Sequence, residues 1–214
     1  MTWDQYIAAW SRLHGGFDPA RSSPVVRGWL RLAYQTGSRL AARRVGPTAV
    51  TTAGLLFCWA VPGAVLLGRG GLLLAAVLVL VAAFADGLDG AVAVISGRAS
   101  RLGYVYDSVA DRLGELAWLI AFRLAGAPGW LVVAAGAASW LQEYARARAT
   151  AAGMSEVGVV TVAERPTRVL VAIFGLVAGF VAAPLITAAT AVWLALALVG
   201  LGQLGRAVRR ALTA

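Results

Sequence analysis

Residues 86–111 read DGLDGAVAVISGRASRLGYVYDSVAD, two short acidic patterns on either side of a Ser/Gly/Arg loop, inside an otherwise apolar chain. Asp86, Asp89, Gly90 and Ala93 recur at i, i+3, i+4 and i+7, one face of a helix. Gly103, Asp107 and Asp111 recur at i, i+4 and i+8, again one face. A loop this short makes the two helices antiparallel neighbours, so four carboxylates are expected to converge on one cavity. Gly90 and Gly103 clear side chains from beside the acids, and Ala93 continues the cleared strip.

The surroundings make these charges costly. The 214 residues are 60% hydrophobic, with mean hydropathy +0.76, against about 45–50% apolar in a soluble domain. An aspartate at the centre of a membrane helix costs about 2.5–3.5 kcal/mol on insertion scales. Four such groups in one low-dielectric site repel unless neutralised. A divalent cation, or a pair, is the expected remedy, and oxygen ligands without His or Cys select Mg2+ or Mn2+. The plain alternative, buried salt bridges to Arg98, Arg101 and Arg112, accounts for one or two acids better than for four.

Working outward, the chain reads as all-α: a polytopic membrane protein of six transmembrane helices preceded by an amphipathic N-terminal surface helix. The spans are expected at about 47–67, 72–95, 102–124, 130–149, 167–182 and 184–204, each about 20 residues long. Pro47 opens the first, where its missing N–H is no loss. Residues 1–46 form a basic juxtamembrane segment with seven arginines and no apolar core of a cleavable signal. Within it, 25–44 interleaves Trp29, Leu32 and Leu40 with arginine, which suits a helix on an anionic leaflet. Residues 206–214 form a basic tail.

All nineteen basic residues are arginine. Six spans place sixteen of them on the side of the two termini and two, Arg69 and Arg123, on the other, with Arg112 inside the third span. The positive-inside rule therefore predicts a multi-pass cell-membrane protein with cytoplasmic termini and a cytoplasmic acidic site. The single cysteine, Cys58, allows no internal disulfide, and the single histidine, His14, excludes a histidine-built metal centre. Glu156 falls in the polar connection after the fourth span. Glu115 and Glu143 are expected to pair with Arg112 and Arg146. Tryptophans 3, 10, 29, 59, 118, 130, 140 and 193 read as interface anchors and packing. Gly175-x3-Gly179 reads as a close helix contact or a dimer seam.

Written as Asp86-x2-Asp89-Gly90-x2-Ala93-Val94-x8-Gly103-x3-Asp107-x3-Asp111, the stretch resembles the signature of the CDP-alcohol phosphotransferase (CDP-alcohol phosphatidyltransferase) family. One position departs: the family usually carries arginine where this chain has Val94, and Arg98 and Arg101 are the nearest substitutes. Pro47-x3-Thr51 is similar to the family's opening of its first span. Tyr144-Ala-Arg146-Ala-Arg148-Ala149 and Glu164-Arg165-Pro166-x-Arg168 resemble the phosphatidylinositol-phosphate-synthase-like branch. The likeness covers about residues 45–205, a six-span domain at 47–205.

The resemblance implies a homodimeric enzyme of phospholipid biosynthesis. It moves a substituted phosphate from a CDP-alcohol, CDP-diacylglycerol above all, to an acceptor alcohol, releasing CMP. It implies two Mg2+ or Mn2+ ions on Asp86, Asp89, Asp107 and Asp111, with Asp111 as general base. Asp86, Asp89, Gly90, Ala93, Gly103 and Asp107 would contact the nucleotide. Arg146, Arg148, Arg165 and Arg168 would bind the phosphate of an acceptor such as inositol phosphate or glycerol 3-phosphate. A lipid acceptor, as in cardiolipin-type synthesis, stays open, as do a cation-coupled transporter and a non-catalytic scaffold. Membrane lipids are expected partners; nucleic acid is not.

Overall fold

In the computed structural model, residues 1–13, 23–154 and 160–213 are described, and His14 and Glu156 fall outside them. The described residues form eight helices: α1 (Trp3–Leu13), α2 (Pro24–Ala42), α3 (Pro47–Val65), α4 (Arg69–Ser96), α5 (Arg101–Leu124), α6 (Gly129–Ala151), α7 (Arg165–Val181) and α8 (Pro184–Thr213). No strand occurs among the described residues.

Three helices, α3, α4 and α8, are long and apolar enough to cross a membrane. The others fall short for identifiable reasons. Asp107, Asp111, Arg112 and Glu115 crowd the middle of α5, Gln142, Glu143 and Arg146 lower the hydropathy of α6, and α7 has only 17 residues. Large apolar side chains such as Leu56, Trp59, Leu74 and Val77 stay exposed along α3 and α4, as lipid-facing positions require.

The helices divide into two compact units, residues 1–57 with 81–111 and residues 58–80 with 112–214. In the first unit, Ser23 caps α2 by accepting from Val26 N at 3.3 Å, and Pro24 supplies the preset backbone of the first turn. α2 covers nearly all of the surface helix read at 25–44, yet it also seats on α4. Ala33 is buried beside Ala91, and a Cβ on Gly37 would lie 3.2 Å from Ile95. Trp29 meets Phe84 edge-on, 5.2 Å between centroids. α1 is an element the sequence reading lacked. It holds Tyr6, 1% exposed, against Tyr34, with Trp3, Ile7 and Trp10 partly covered. Val94 packs in this same cluster, so an apolar side chain suits the position.

In the second unit, α8 packs along α6 and α7. The turn between α3 and α4 is tighter than the sequence suggested, because α4 begins at Arg69 rather than after the glycines. A Cβ on Gly71 would stand 1.9 Å from the Ala64 carbonyl oxygen, so no larger residue fits. Gly175 and Gly179 of α7 meet Phe122, Ala189 and Ile186 of this same chain, each closer than a Cβ allows. Their spacing thus serves packing within the chain. Trp118 and Trp193 are fully buried, the latter donating to Ser139 Oγ at 3.0 Å, whereas Trp59, Trp130 and Trp140 stay exposed.

Candidate active site

The acidic stretch lies in the first unit, on the last third of α4 and the first half of α5. The chain reverses between them through 97–100, with Gly97 at φ +67°. Ser100 starts α5 by accepting from Gly103 N at 3.0 Å. The reversal brings together one carboxylate oxygen from each of Asp86, Asp107 and Asp111, all within 4.8 Å of one another and half-buried.

Asp89 stands apart from that trio. It is 6% exposed, and its Oδ2 accepts from Thr51 Oγ1 of α3 at 2.6 Å. The approach depends on Gly54, one turn further along α3, where a Cβ would lie 3.1 Å from Ala85 Cβ. Beside Asp107, the Tyr106 hydroxyl meets Thr52 Oγ1 at 2.8 Å. Thr51 and Thr52 thus tie α3 to both acidic helices. Of the small residues expected to line a nucleotide pocket, Gly90 is exposed with open space where a Cβ would be. Ala93 is half-buried, and the cleared side of Gly103 faces Ser100 Oγ at 3.1 Å.

The donor set fits a hard divalent cation. Metal–oxygen distances of about 2.1 Å place ligand oxygens at most about 4.2 Å apart, so the trio closes on an ion by side-chain rotations of a few tenths of an ångström. Three carboxylates facing one another gain most from an ion that cancels their repulsion.

The four candidate arginines divide. Arg148 is exposed and Arg165 half-buried. Arg146 Nη2 donates to Glu164 Oε1 at 2.5 Å, and Arg168, 4% exposed, donates to Glu115 Oε2 at 2.9 Å and Glu143 Oε1 at 2.5 Å. The expected pairs are present, Arg112 with Glu115 at 3.1 Å and Arg146 with Glu143 at 3.9 Å. The closer ties run through Arg168, which lies 53 and 25 residues from its two partners and so left no local signal. All of these groups belong to the second unit.

Residues 44–201 match the profile of the family described as CDP-alcohol phosphatidyltransferase. The chain belongs to the CDP-alcohol phosphatidyltransferase family. Among curated proteins, it is 39% identical over 160 residues to the phosphatidylinositol phosphate synthase of Mycolicibacterium smegmatis, covering 68% of this chain and 69% of that one. It is 35% identical over 100 residues to the archaetidylinositol phosphate synthase of Pyrococcus horikoshii, covering 46% of this chain and 53% of the relative. The match thus spans about half the length of the archaeal relative. Two crystal structures of the Mycobacterium tuberculosis phosphatidylinositol phosphate synthase share the fold. One, with CDP-DAG bound, gives TM-score 0.70 at 23% identity over 84% of this chain and 94% of that one. The other, in complex with manganese and citrate, gives TM-score 0.68 at 22% identity over 82% of this chain and 88% of that one.

Proposed function

We propose that this CDP-alcohol phosphatidyltransferase family member transfers a phosphatidyl group from CDP-diacylglycerol to the hydroxyl of a phosphorylated polyol, releasing CMP. The observation that carries the reading is the trio Asp86, Asp107 and Asp111, with oxygens within 4.8 Å on two consecutive helices. These residues, with Asp89 beside them, would hold one or two divalent ions. When bound, such ions supply Lewis-acid polarisation of the diphosphate and offset the charge of the departing CMP.

The chain's own groups do the rest. Asp111 takes the proton of the acceptor hydroxyl as its oxygen bonds to the lipid-side phosphorus, and the bond from that phosphorus to the CMP oxygen breaks. Thr51 fixes the rotamer of Asp89. The open side of Gly90 leaves room for the nucleotide next to the acids. Among acceptors, inositol phosphate has the most support, from the names of the two curated relatives. Arg146, Arg148, Arg165 and Arg168 are assigned to its phosphate, since guanidinium suits bidentate phosphate binding.

The placement in the membrane belongs to the same proposal: six spans within 47–205, basic flanks at 1–46 and 206–214, and α2 at the cytoplasmic surface. Arginine asymmetry supports cytoplasmic termini and a cytoplasmic site. A homodimer is part of the reading by family likeness.

The test is CMP release from CDP-diacylglycerol by purified protein with Mg2+ or Mn2+, against inositol phosphate, glycerol 3-phosphate and phosphatidylglycerol. Metal-dependent release with inositol phosphate is expected. Release only with phosphatidylglycerol would replace the acceptor, and no release with any of the three would overturn the activity.

A further inference from the structure

Three guanidiniums from three helices close on one carboxylate. Arg112 of α5 and Arg168 of α7 reach Glu143 Oε1 at 3.0 and 2.5 Å, and Arg146 of α6 reaches its Oε2 at 3.9 Å. A structural ion pair needs one cation. Arg146 also holds Glu164 at 2.5 Å, and Arg112 and Arg168 also hold Glu115 at 3.1 and 2.9 Å, so three guanidiniums meet three carboxylates. Glu143 alone lies against all three, the position a phosphate would take among them.

The cluster's second acid, Glu115, behaves differently. Its side chain is 1% exposed and meets Arg168, itself 4% exposed, at 2.9 Å, a pair with no route to water. The Glu143 side chain is 28% exposed, so it has room to rotate away from the guanidiniums. Its hydrogen bonding to the trio is also incomplete. Arg112 Nη1 lies within ion-pair distance of Glu143, but the two are not aligned for a hydrogen bond. Among the described residues nothing accepts from the buried Arg168 Nε.

We propose that Glu143 is a resident stand-in for a phosphate: it occupies the anion site formed by Arg112, Arg146 and Arg168, and must swing aside when a soluble phosphomonoester enters. This rests on the reading that Arg146 and Arg168 take the acceptor's phosphate, and adds the group they release first. The occupant lowers apparent acceptor affinity by the fraction of molecules in which the site is filled.

The experiment titrates detergent-solubilised full-length protein with inorganic phosphate at constant ionic strength, following thermal unfolding, for wild type, Glu143→Gln and Glu143→Asp. Glu143→Gln is expected to bind phosphate about tenfold tighter or more, because the competing charge is gone. Glu143→Asp keeps the charge on an arm one methylene shorter, is expected to fall between, and carries the test if the glutamine variant does not fold. Phosphate binding equal to or weaker than wild type in the folded variants overturns the proposal. KM values separate it from the functional reading. A lower KM for the phosphorylated acceptor at unchanged KM for the CDP-lipid supports both. Tighter phosphate with an unmoved acceptor KM upholds the anion site and overturns its assignment to the acceptor.

Discussion

Thr51 Oγ1 and Asp89 Oδ2 stand 2.6 Å apart, joining α3 to α4 inside the fold. The hydroxyl has one proton and two acceptors in reach, the carboxyl group and the Pro47 carbonyl at 3.2 Å, and the shorter contact takes it. A buried carboxylate is thereby held in one orientation by a neutral partner.

Thr51→Val keeps the shape and removes the donor. Leaving the buried acceptor unmatched is expected to cost about 1–3 kcal/mol, seen as a lowered melting temperature in detergent. Thr51→Ser restores the donor and is expected to recover most of the loss. Equal melting of the valine variant and wild type would dissociate Thr51 from Asp89.

Asp107→Asn removes one oxygen ligand's charge from the trio. CMP release is expected to fall on the order of 100-fold or more, with a higher Mg2+ requirement. Asp111→Asn is expected to abolish transfer while CDP-diacylglycerol still binds. Undiminished turnover in the Asp111 variant would remove it from the role of base.

Glycines 175 and 202 offer a paired test of packing. A Cβ at 175 would fall 2.7 Å from Phe122 and 2.8 Å from Ala189, whereas one at 202 meets nothing within 4 Å. Gly175→Ala is expected to destabilise by about 1–3 kcal/mol. Gly202→Ala, in an open helical position, is expected to stabilise by up to about 1 kcal/mol. Thermal unfolding of the two variants side by side reads the difference.

Burial pushes the Tyr6 phenol from 10.0 up to about 12. A raised acid pKa means the folded form favours the neutral phenol. The contribution is complete below pH 10 and is lost as pH rises toward 12. The α1 contacts are therefore expected to loosen over that window. Phenolate absorbance in the near ultraviolet should titrate late in wild type, and Tyr6→Phe should lack that late component.

What the sequence disclosed followed the strength of the local signal. Charges in apolar runs stand out one residue at a time, so Asp86, Asp89, Asp107 and Asp111 were visible at once, and helical spacing placed them on two faces. Their division was not visible. Asp89 turns to Thr51, 38 residues away, and a contact of that separation leaves no periodic trace. Glu115 likewise disclosed its partner Arg112 at i+3 spacing, but not Arg168. α1 is strongly amphipathic but only eleven residues long, and what seats it, aromatic contacts to Tyr34 and the α4 face, is remote in sequence. Proline marks helix starts plainly, with Pro47 opening α3 and Pro184 opening α8. At Gly68–Gly71 the glycines read as a loop, yet Gly70 and Gly71 lie inside α4, and Gly71 permits a close approach to the Ala64 carbonyl.

Cys58 is 3% exposed, and its sulfur would lie 2.9 Å from a Cβ on Gly114. The chain's single thiol is thus sealed against alkylating reagents. Wild-type protein can serve unmodified as the silent background for cysteine-accessibility mapping, with thiols introduced singly at exposed positions such as Leu66, Trp130 and Leu212. Impermeant maleimide applied to intact cells and to inverted vesicles would then report, loop by loop, on which side of the bilayer each connection emerges.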